Sequence, residues 1–275
     1  MKLSIIISTY NSEEWLSKVL FGYSLQTEND FEIIVADDGS TNKTKQVIDS
    51  FQHKFKNPIV HVWQEDDGFQ KTKILNKAIL KSKCDYLLFS DGDCIPRKDF
   101  VLQHVKYKQT GYFLSGGYFK LPFLISNEIT LDDIKSQKCF SLSWLKSKGM
   151  KWSLKANKLT NHTVFSKFMN FITPTKRSWN GHNSSGFKKD ILAVNGFNEL
   201  MQYGGEDRDL GERLHNYGIL SKQIRYSAIC LHLEHERNYA SEQVWKANNE
   251  IRKFNKRNKV TYIQNGIDKH GKLES

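Results

Sequence analysis

Residues 85–93 read DYLLFSDGD: four apolar side chains, Tyr86 to Phe89, run into Asp91 and Asp93 with one glycine between the acids. A short continuous apolar run, closed by turn residues and by Pro96, is the pattern of a strand buried on both faces, as in parallel sheets. The pattern recurs upstream. LSIIIS (3–8) runs into Thr9-Tyr10-Asn11, FEIIVADDGS (31–40) closes on Asp37 and Asp38, and IVHVWQED (59–66) closes on Glu65 and Asp66. Glu13–Leu25, Thr41–Phe55 and Gln70–Lys83 lie between these runs and read as helices, the first and last with apolar residues at helical spacing. Strands alternating with helices imply right-handed βαβ units and a parallel sheet covered on both faces. Ligands in such sheets bind beyond the carboxyl ends of the strands, so STYN, DDGS, EDDGFQK and DGD should meet along one edge.

After Thr110 the periodicity weakens. GYFLSGGYFKL (111–121) suggests a strand or hairpin, and 125–175 is irregular, aromatic and basic. NSSGFKKDILAVNGFNE (183–199) restores regular signals, and the second part of GGEDRDLGERLHNYG (204–218) reads as a helix ending at Gly218. Lys222–Leu233 reads as a last strand. Glu242–Lys259 reads as a basic helix with Val244, Ile251 and Phe254 inward, and the tail IDKHGKLES, lacking an apolar face, as disordered. No repeat, low-complexity run or Pro/Gly-rich linker divides the chain.

The 275 residues carry a net charge of +11, which suits an anionic partner: nucleic acid, an anionic membrane surface or a phosphorylated substrate. Four scattered cysteines (Cys84, Cys94, Cys139, Cys230) without a C-x-x-C pair suit a reducing, cytoplasmic setting. No secretory h-region follows Met1, and no stretch reaches the roughly 20 apolar residues of a spanning helix.

Each polar cluster has a chemical and a purely structural reading. Asp91 and Asp93 at a strand end would cost about several kcal/mol if buried without a partner, and a divalent cation bridging to a diphosphate resolves that charge; Asp-Gly is equally ordinary turn chemistry. Asp38 suits the imide N–H of a uracil covered by Tyr10, or the start of the next helix, with Ser40 or Thr41 as its cap. Gly68-Phe69-Gln70-Lys71-Thr72-Lys73 opens a helix with N–H groups and lysines suited to phosphate, yet it is neither a P-loop nor a nicotinamide fingerprint. In Gly204-Gly205-Glu206-Asp207, one carboxylate suits a general base and its neighbour a hydroxyl-holding group, whereas Asp209 and Glu212 suit helix-start electrostatics. His232 and His235 in CLHLEHER are too commonly spaced to signal zinc, but added to carboxylates they favour Mn²⁺ over Mg²⁺ or Ca²⁺.

Taken together, SIIISTYNSEEWL, FEIIVADDGSTNKT, EDDGFQKTKILNKAI and YLLFSDGDCIPRKDF resemble the inverting family 2 glycosyltransferases of the GT-A fold. NSSGFKKDILAVNGFNELMQYGGEDRDLGERL and LHLEHER resemble the galactosyltransferase-type C-terminal half of some bacterial members. The likeness covers roughly residues 1–120 and 178–240. It implies an α/β GT-A fold, a Rossmann-like, mostly parallel sheet flanked by helices. A single domain over 1–240 would hold a nucleotide-sugar half (1–108) and an acceptor half (109–240), followed by a basic helix and tail (241–275). Ser8, Tyr10, Asp38, Gly68, Lys71, Lys73 and Asp91 would bind the donor, and Asp91, Asp93 and His232, or His235, the metal. Asp207 would be the base, with Glu206, Tyr203 and Trp179 at the acceptor. Tyr203 stands where the family often has tryptophan, and Lys71 and Lys73 where it often has arginine.

The implied reaction moves a hexose or N-acetylhexosamine from a UDP-sugar, with Mn²⁺ or Mg²⁺, to a hydroxyl of a saccharide or lipid-linked acceptor in bacterial surface glycan synthesis. The galactosyltransferase-type half tilts the donor toward galactose or N-acetylgalactosamine. A sugar nucleotidyltransferase would carry a Gly-rich basic loop where STYNSEEW stands. A nucleic-acid-binding protein would leave the acidic clusters unexplained, so no nucleic-acid partner is expected. The basic stretch Lys246–Lys259 and aromatic Phe165–Phe171 suggest peripheral contact with the inner, anionic face of the membrane, unless the basic helix is simply solvated.

Overall fold

A computed structural model describes residues 1–151, 153–174, 178–235 and 241–271. Strands β1 (Leu3–Thr9), β2 (Phe31–Asp37), β3 (Val60–Trp63) and β4 (Tyr86–Asp91) alternate with helices α1 (Glu13–Ser24), α2 (Asn42–Phe51) and α3 (Lys71–Lys81). β1 and β2 are buried at every position, which accounts for their unbroken β-branched runs. All four strands are parallel, and their register aligns Ser8 with Asp91 and Thr9 with Asp37. The polar strand ends therefore share one edge, as the alternation predicts.

The rest of the chain adds β5 (Cys94–Pro96), α4 (Phe100–Tyr107), β6 (Tyr112–Ser115), β7 (Gly117–Lys120), α5 (Phe123–Glu128), α6 (Leu131–Lys135), α7 (Leu142–Ser147) and α8 (Thr163–Ile172). Then come β8 (Ser184–Phe187), α9 (Lys188–Ala193), α10 (Glu206–Asn216), β9 (Leu220–Gln223), β10 (Ile229–His232) and α11 (Glu242–Arg257). The main sheet has seven strands in the order β3-β2-β1-β4-β8-β6-β9, with β8 antiparallel to both neighbours. A three-stranded sheet, β5-β10-β7, sets Cys94 directly opposite His232. One hydrophobic cluster joins α1, α2 and α4 to the small sheet; the other packs α3, α9 and α10 on the opposite face.

Several elements differ from their sequence reading. GYFLSGGYFKL is no hairpin: its halves, β6 and β7, enter different sheets, held apart by Asn183, which donates to the carbonyls of Gly117 and Ala228. Lys222–Leu233 is two strands, because the chain turns at 224–228, with the amides of Ser227 and Ala228 donating to Ile224 O. Thr41 stands at the N-cap of α2, but no hydroxyl caps it; Ser40 Oγ instead accepts from Asn11 N at 2.8 Å. In α11 the buried residues are Asn248 and Asn255, while Phe254 is 62% exposed. The tail is ordered over Ile267–His270, a 3₁₀ turn with Ile267 buried against α3 and Asp268 held by Asn195. The last four tail residues, 272–275, lie outside the described residues.

Candidate active site

At the mouth of β1 and β4, Ser8 Oγ donates to Asp91 Oδ1 at 2.6 Å, and Lys71 Nζ donates to the same oxygen at 2.8 Å. Burial opposes both charges, yet the Lys71 ammonium holds Asp91 below the usual carboxylate range. Asp91, Asp207 and Glu206 in turn hold Lys71 well above the usual lysine range. Lys71 is thus the centre about which acids from both halves of the chain gather. Lys73, two positions on, points elsewhere and lines a surface hollow with Gln64, Asp66, Asp67 and Lys77.

One strand outward, Asp37 and Asp38 divide their work. Asp37 is structural: it accepts from Ser40 N at 2.9 Å and meets His61 Nε2 at 2.8 Å. Asp38 accepts from Gln64 Nε2 at 2.6 Å and from Gln70 N at 2.9 Å, and burial pushes its carboxyl up to about 6. Tyr10 is exposed and donates its hydroxyl to Asp66, which also accepts from Gly68 N.

Asp93 lies on the other side of Asp91. His235 Nε2 is 2.9 Å and His232 Nε2 3.6 Å from Asp93 Oδ2, and the two imidazoles stack at 6.2 Å. His232 Nδ1 lies 2.9 Å from Leu233 O, which leaves Nε2 as the ring nitrogen turned toward Asp93. Burial opposes ionisation of Asp93, but His232 and His235 hold it well below the usual range. Cys94 completes the group, with a ligating atom within 4.8 Å of those of Asp93 and His232. Its burial keeps the thiol protonated, and Sγ donates to Asp93 Oδ1, so it is a poor metal ligand. The remaining donors, carboxylate oxygens and imidazole nitrogens, fit Mn²⁺.

Across from these groups α10 begins. Gly204 and Gly205 have φ of 108° and 97°, a left-handed geometry that L side chains rarely adopt. A Cβ at Gly204 would meet the Trp245 indole at 2.3 Å. Glu206 is buried and accepts from Gly204 N at 2.8 Å. Asp207 lies over Gly181, where a Cβ would come within 2.7 Å of both carboxylate oxygens. Its Oδ1 is buried with no hydrogen-bond partner, and burial, then the Glu206 charge, push the carboxyl up to about 7. Asp209 is structural: it pairs with buried Arg213 and accepts from Asn255.

Residues 4–172 match the family described as Glycosyl transferase family 2, and 163–236 the N-terminal domain of galactosyltransferase. The chain belongs to glycosyl transferase family 2. It is 29% identical to the glycosyltransferase YfnE of Bacillus subtilis (strain 168), covering 90% of this chain and 69% of that one. It is 26% identical to the chondroitin synthase of Escherichia coli, covering 84% of this chain but 34% of that protein. Among solved structures, Staphylococcus aureus TarS in complex with UDP-GlcNAc superposes with a TM-score of 0.62 at 16% identity, over 94% of this chain and 69% of that one. The mannosyltransferase PcManGT of Pyrobaculum calidifontis, in complex with GDP-Man and Mn²⁺, gives 0.61 at 15%, over 93% and 64%. These likenesses establish the GT-A fold.

In this glycosyltransferase the candidate residues divide clearly. Ser8, Asp91, Lys71, Asp93, His232, His235, Glu206 and Asp207 form one connected group. Tyr203 borders it, its ring packed edge-on against Phe69 at 5.7 Å. Trp179 must be corrected: it is 0% exposed, wedged among Phe89, Phe113 and the backbone near Gly211, and no acceptor can reach its face. Sequence reasoning missed His182. Its ring lies 4.6 Å from that of Tyr118 and 6.3 Å from that of His232, with a buried Nε2 that has no hydrogen-bond partner. Burial lowers its pKa to about 4. A lone histidine before a short strand carries no spacing signal, so only the fold reveals it.

Proposed function

We propose that this glycosyltransferase is metal-dependent and inverting, moving a hexose or N-acetylhexosamine from a UDP-sugar to a hydroxyl of a saccharide or lipid-linked acceptor. The observation that carries this reading is the cluster around Lys71. Asp91 bonds the ammonium at 2.8 Å, and Glu206 and Asp207 lie close enough that all three favour its charge. The UDP-GlcNAc and the Mn²⁺ held by structural neighbours support the donor and metal classes. The chondroitin and hyaluronan synthases among its relatives support a glycan product, although the chain spans only 34% and 24% of their lengths.

In this reading Ser8, Tyr10 and Asp38 hold the nucleoside, and Lys71 and the amides opening α3 face the diphosphate. Asp91, Asp93 and the two histidines would hold Mn²⁺, which supplies Lewis-acid stabilisation of the leaving diphosphate. Glu206 orients the acceptor hydroxyl, and Asp207 Oδ1 takes its proton as the hydroxyl oxygen attacks the anomeric carbon from the face opposite the leaving group. One in-line displacement of this kind inverts the anomeric centre. His182 Nε2 offers a further polar contact to the donor.

The four unpaired, buried cysteines support a reducing, cytoplasmic setting, and the charge of +11 supports peripheral contact with an anionic membrane. The test is UDP release from a panel of UDP-sugars with Mn²⁺, with and without saccharide acceptors. Wild type should turn over one donor, and Asp93→Ala and Asp207→Asn should each lose at least about a hundredfold. Equal turnover by the three proteins would refute the assignment.

A further inference from the structure

Helix α8 is inside out. Its sequence, TVFSKFMNFI, places Val164, Phe165, Phe168, Phe171 and Ile172 on one arc of about 120° at roughly 100° per residue. In a globular helix that arc faces the core. Here Phe171 is 85%, Val164 71% and Phe168 57% exposed.

What faces the protein is the polar side. Ser166 is buried. Asn170 Nδ2 donates to Ser227 Oγ, Asn170 Oδ1 accepts from Tyr226 N, and the carbonyls of Asn170 and Thr173 accept from Gln223 Nε2. The helix is thus fastened by hydrogen bonds to the turn between β9 and β10, and its aromatic face is left to meet something else.

The charges nearby indicate what that is. Lys167 lies on the helix, and Leu154 and Lys155, both exposed, belong to the 3₁₀ turn that precedes it. Lys158 Nζ reaches the Tyr118 carbonyl beside the β9–β10 turn, and burial first, then the charges of Arg225 and Lys155, disfavour its ammonium. Exposed aromatics beside clustered cations match an anionic interface better than a neutral protein surface. The other basic helix, α11, commits several of its polar side chains to contacts within the protein. Lys246 and Lys253 are paired with Glu242 and Glu250, and Asn248 and Arg252 hold the Gly204 turn and Glu212.

We propose that α8 docks this protein on an anionic phospholipid surface, lying in the interface plane with Phe168 and Phe171 among the acyl chains. The same basic group borders the candidate active site, since Lys158 Nζ lies 5.5 Å over the Tyr118 ring, which packs against His182 and His232. An enzyme docked this way has its donor site beside the lipid headgroups.

The test is co-sedimentation of the full chain, at low salt, with vesicles of phosphatidylcholine alone or mixed with phosphatidylglycerol. Wild type should pellet several-fold more with the mixed vesicles. The double variant Phe168→Ser/Phe171→Ser should lose at least about tenfold in partitioning. Its melting temperature and its transfer to a soluble acceptor should stay as in wild type. Lys155→Glu/Lys158→Glu should abolish the preference for anionic vesicles. Unchanged partitioning of the phenylalanine variant overturns the proposal. So does a wild-type dimer in solution that this variant converts to monomer, which assigns the face to a second copy. Transfer to a soluble acceptor tests the catalytic reading separately, so either can fail without the other.

Discussion

A general base at neutral pH must be ionised and still basic enough to take a proton, and Asp207, the proposed base, sits at that compromise. Its folded value of about 7 stands above its ordinary value of 3.8. As pH rises between these values the unfolded chain releases this proton first, so the metal-free fold loses stability across the window and does not regain it above. Asp207→Asn removes that loss. At pH 8 the metal-free variant should unfold at higher denaturant than wild type, by on the order of 2 kcal/mol, although its transfer should fall at least about a hundredfold. Activity has the opposite sign, because only the ionised form accepts a proton. The acid limb of kcat/KM should fall at or below pH 7, since a bound cation and Lys71 both favour the carboxylate, and Asp207→Asn should abolish the limb. Trp179 makes a contrasting case. Trp179→Ala should cost about 3–5 kcal/mol in denaturant titrations, and the conservative Trp179→Phe should leave the acceptor KM at its wild-type value. A large KM change in the well-folded Phe variant would restore an acceptor role.

Among the elements, α11 holds the acidic turn in place. Asn248 Nδ2 donates to the carbonyls of Gln202 and Gly204, the Trp245 indole covers Gly204, and Arg252 makes a two-point contact with Glu212. Asn248→Ala should therefore lower kcat about tenfold by loosening the turn that carries Glu206 and Asp207. The donor KM should stay near wild type, and melting should shift by only a few degrees. An unchanged kcat would show that the turn is self-supporting. This helix also shows where sequence reading stops. Apolar runs located β1–β4, and helical spacing located α1 and α3, because most of their apolar residues face inward. In α11 that spacing put Val244 and Ile251 on the half-buried face, but it missed that Asn248 and Asn255 fill that face while Phe254 points outward. The division between β9 and β10 was hidden because Arg225-Tyr226-Ser227 contains neither glycine nor proline to mark the turn. The acidic motifs were legible because two charges at a strand end are costly without a purpose, whereas His182 became visible only through its neighbours.

At the scale of the whole molecule, the site exists only when both halves are folded together. β1, β4 and α3 bring Ser8, Asp91 and Lys71; β10 and α10 bring His232, Glu206 and Asp207. Ligands spanning both should act as staples, and Mn²⁺ with UDP should raise the melting temperature by several degrees, an effect that EDTA reverses. The bond between Lys71 and Asp91 carries a further consequence. A metal ion held by Asp91, as proposed, would compete with an ammonium already bonded to that carboxylate. A diphosphate gives the lysine somewhere else to go. The two ligands should consequently help each other. Calorimetric Mn²⁺ affinity should rise about tenfold or more when UDP is present, and Lys71→Ala should narrow that difference by raising the affinity for the metal alone. Donor loading would then be a swap of one positive partner for another, with the nucleotide as broker.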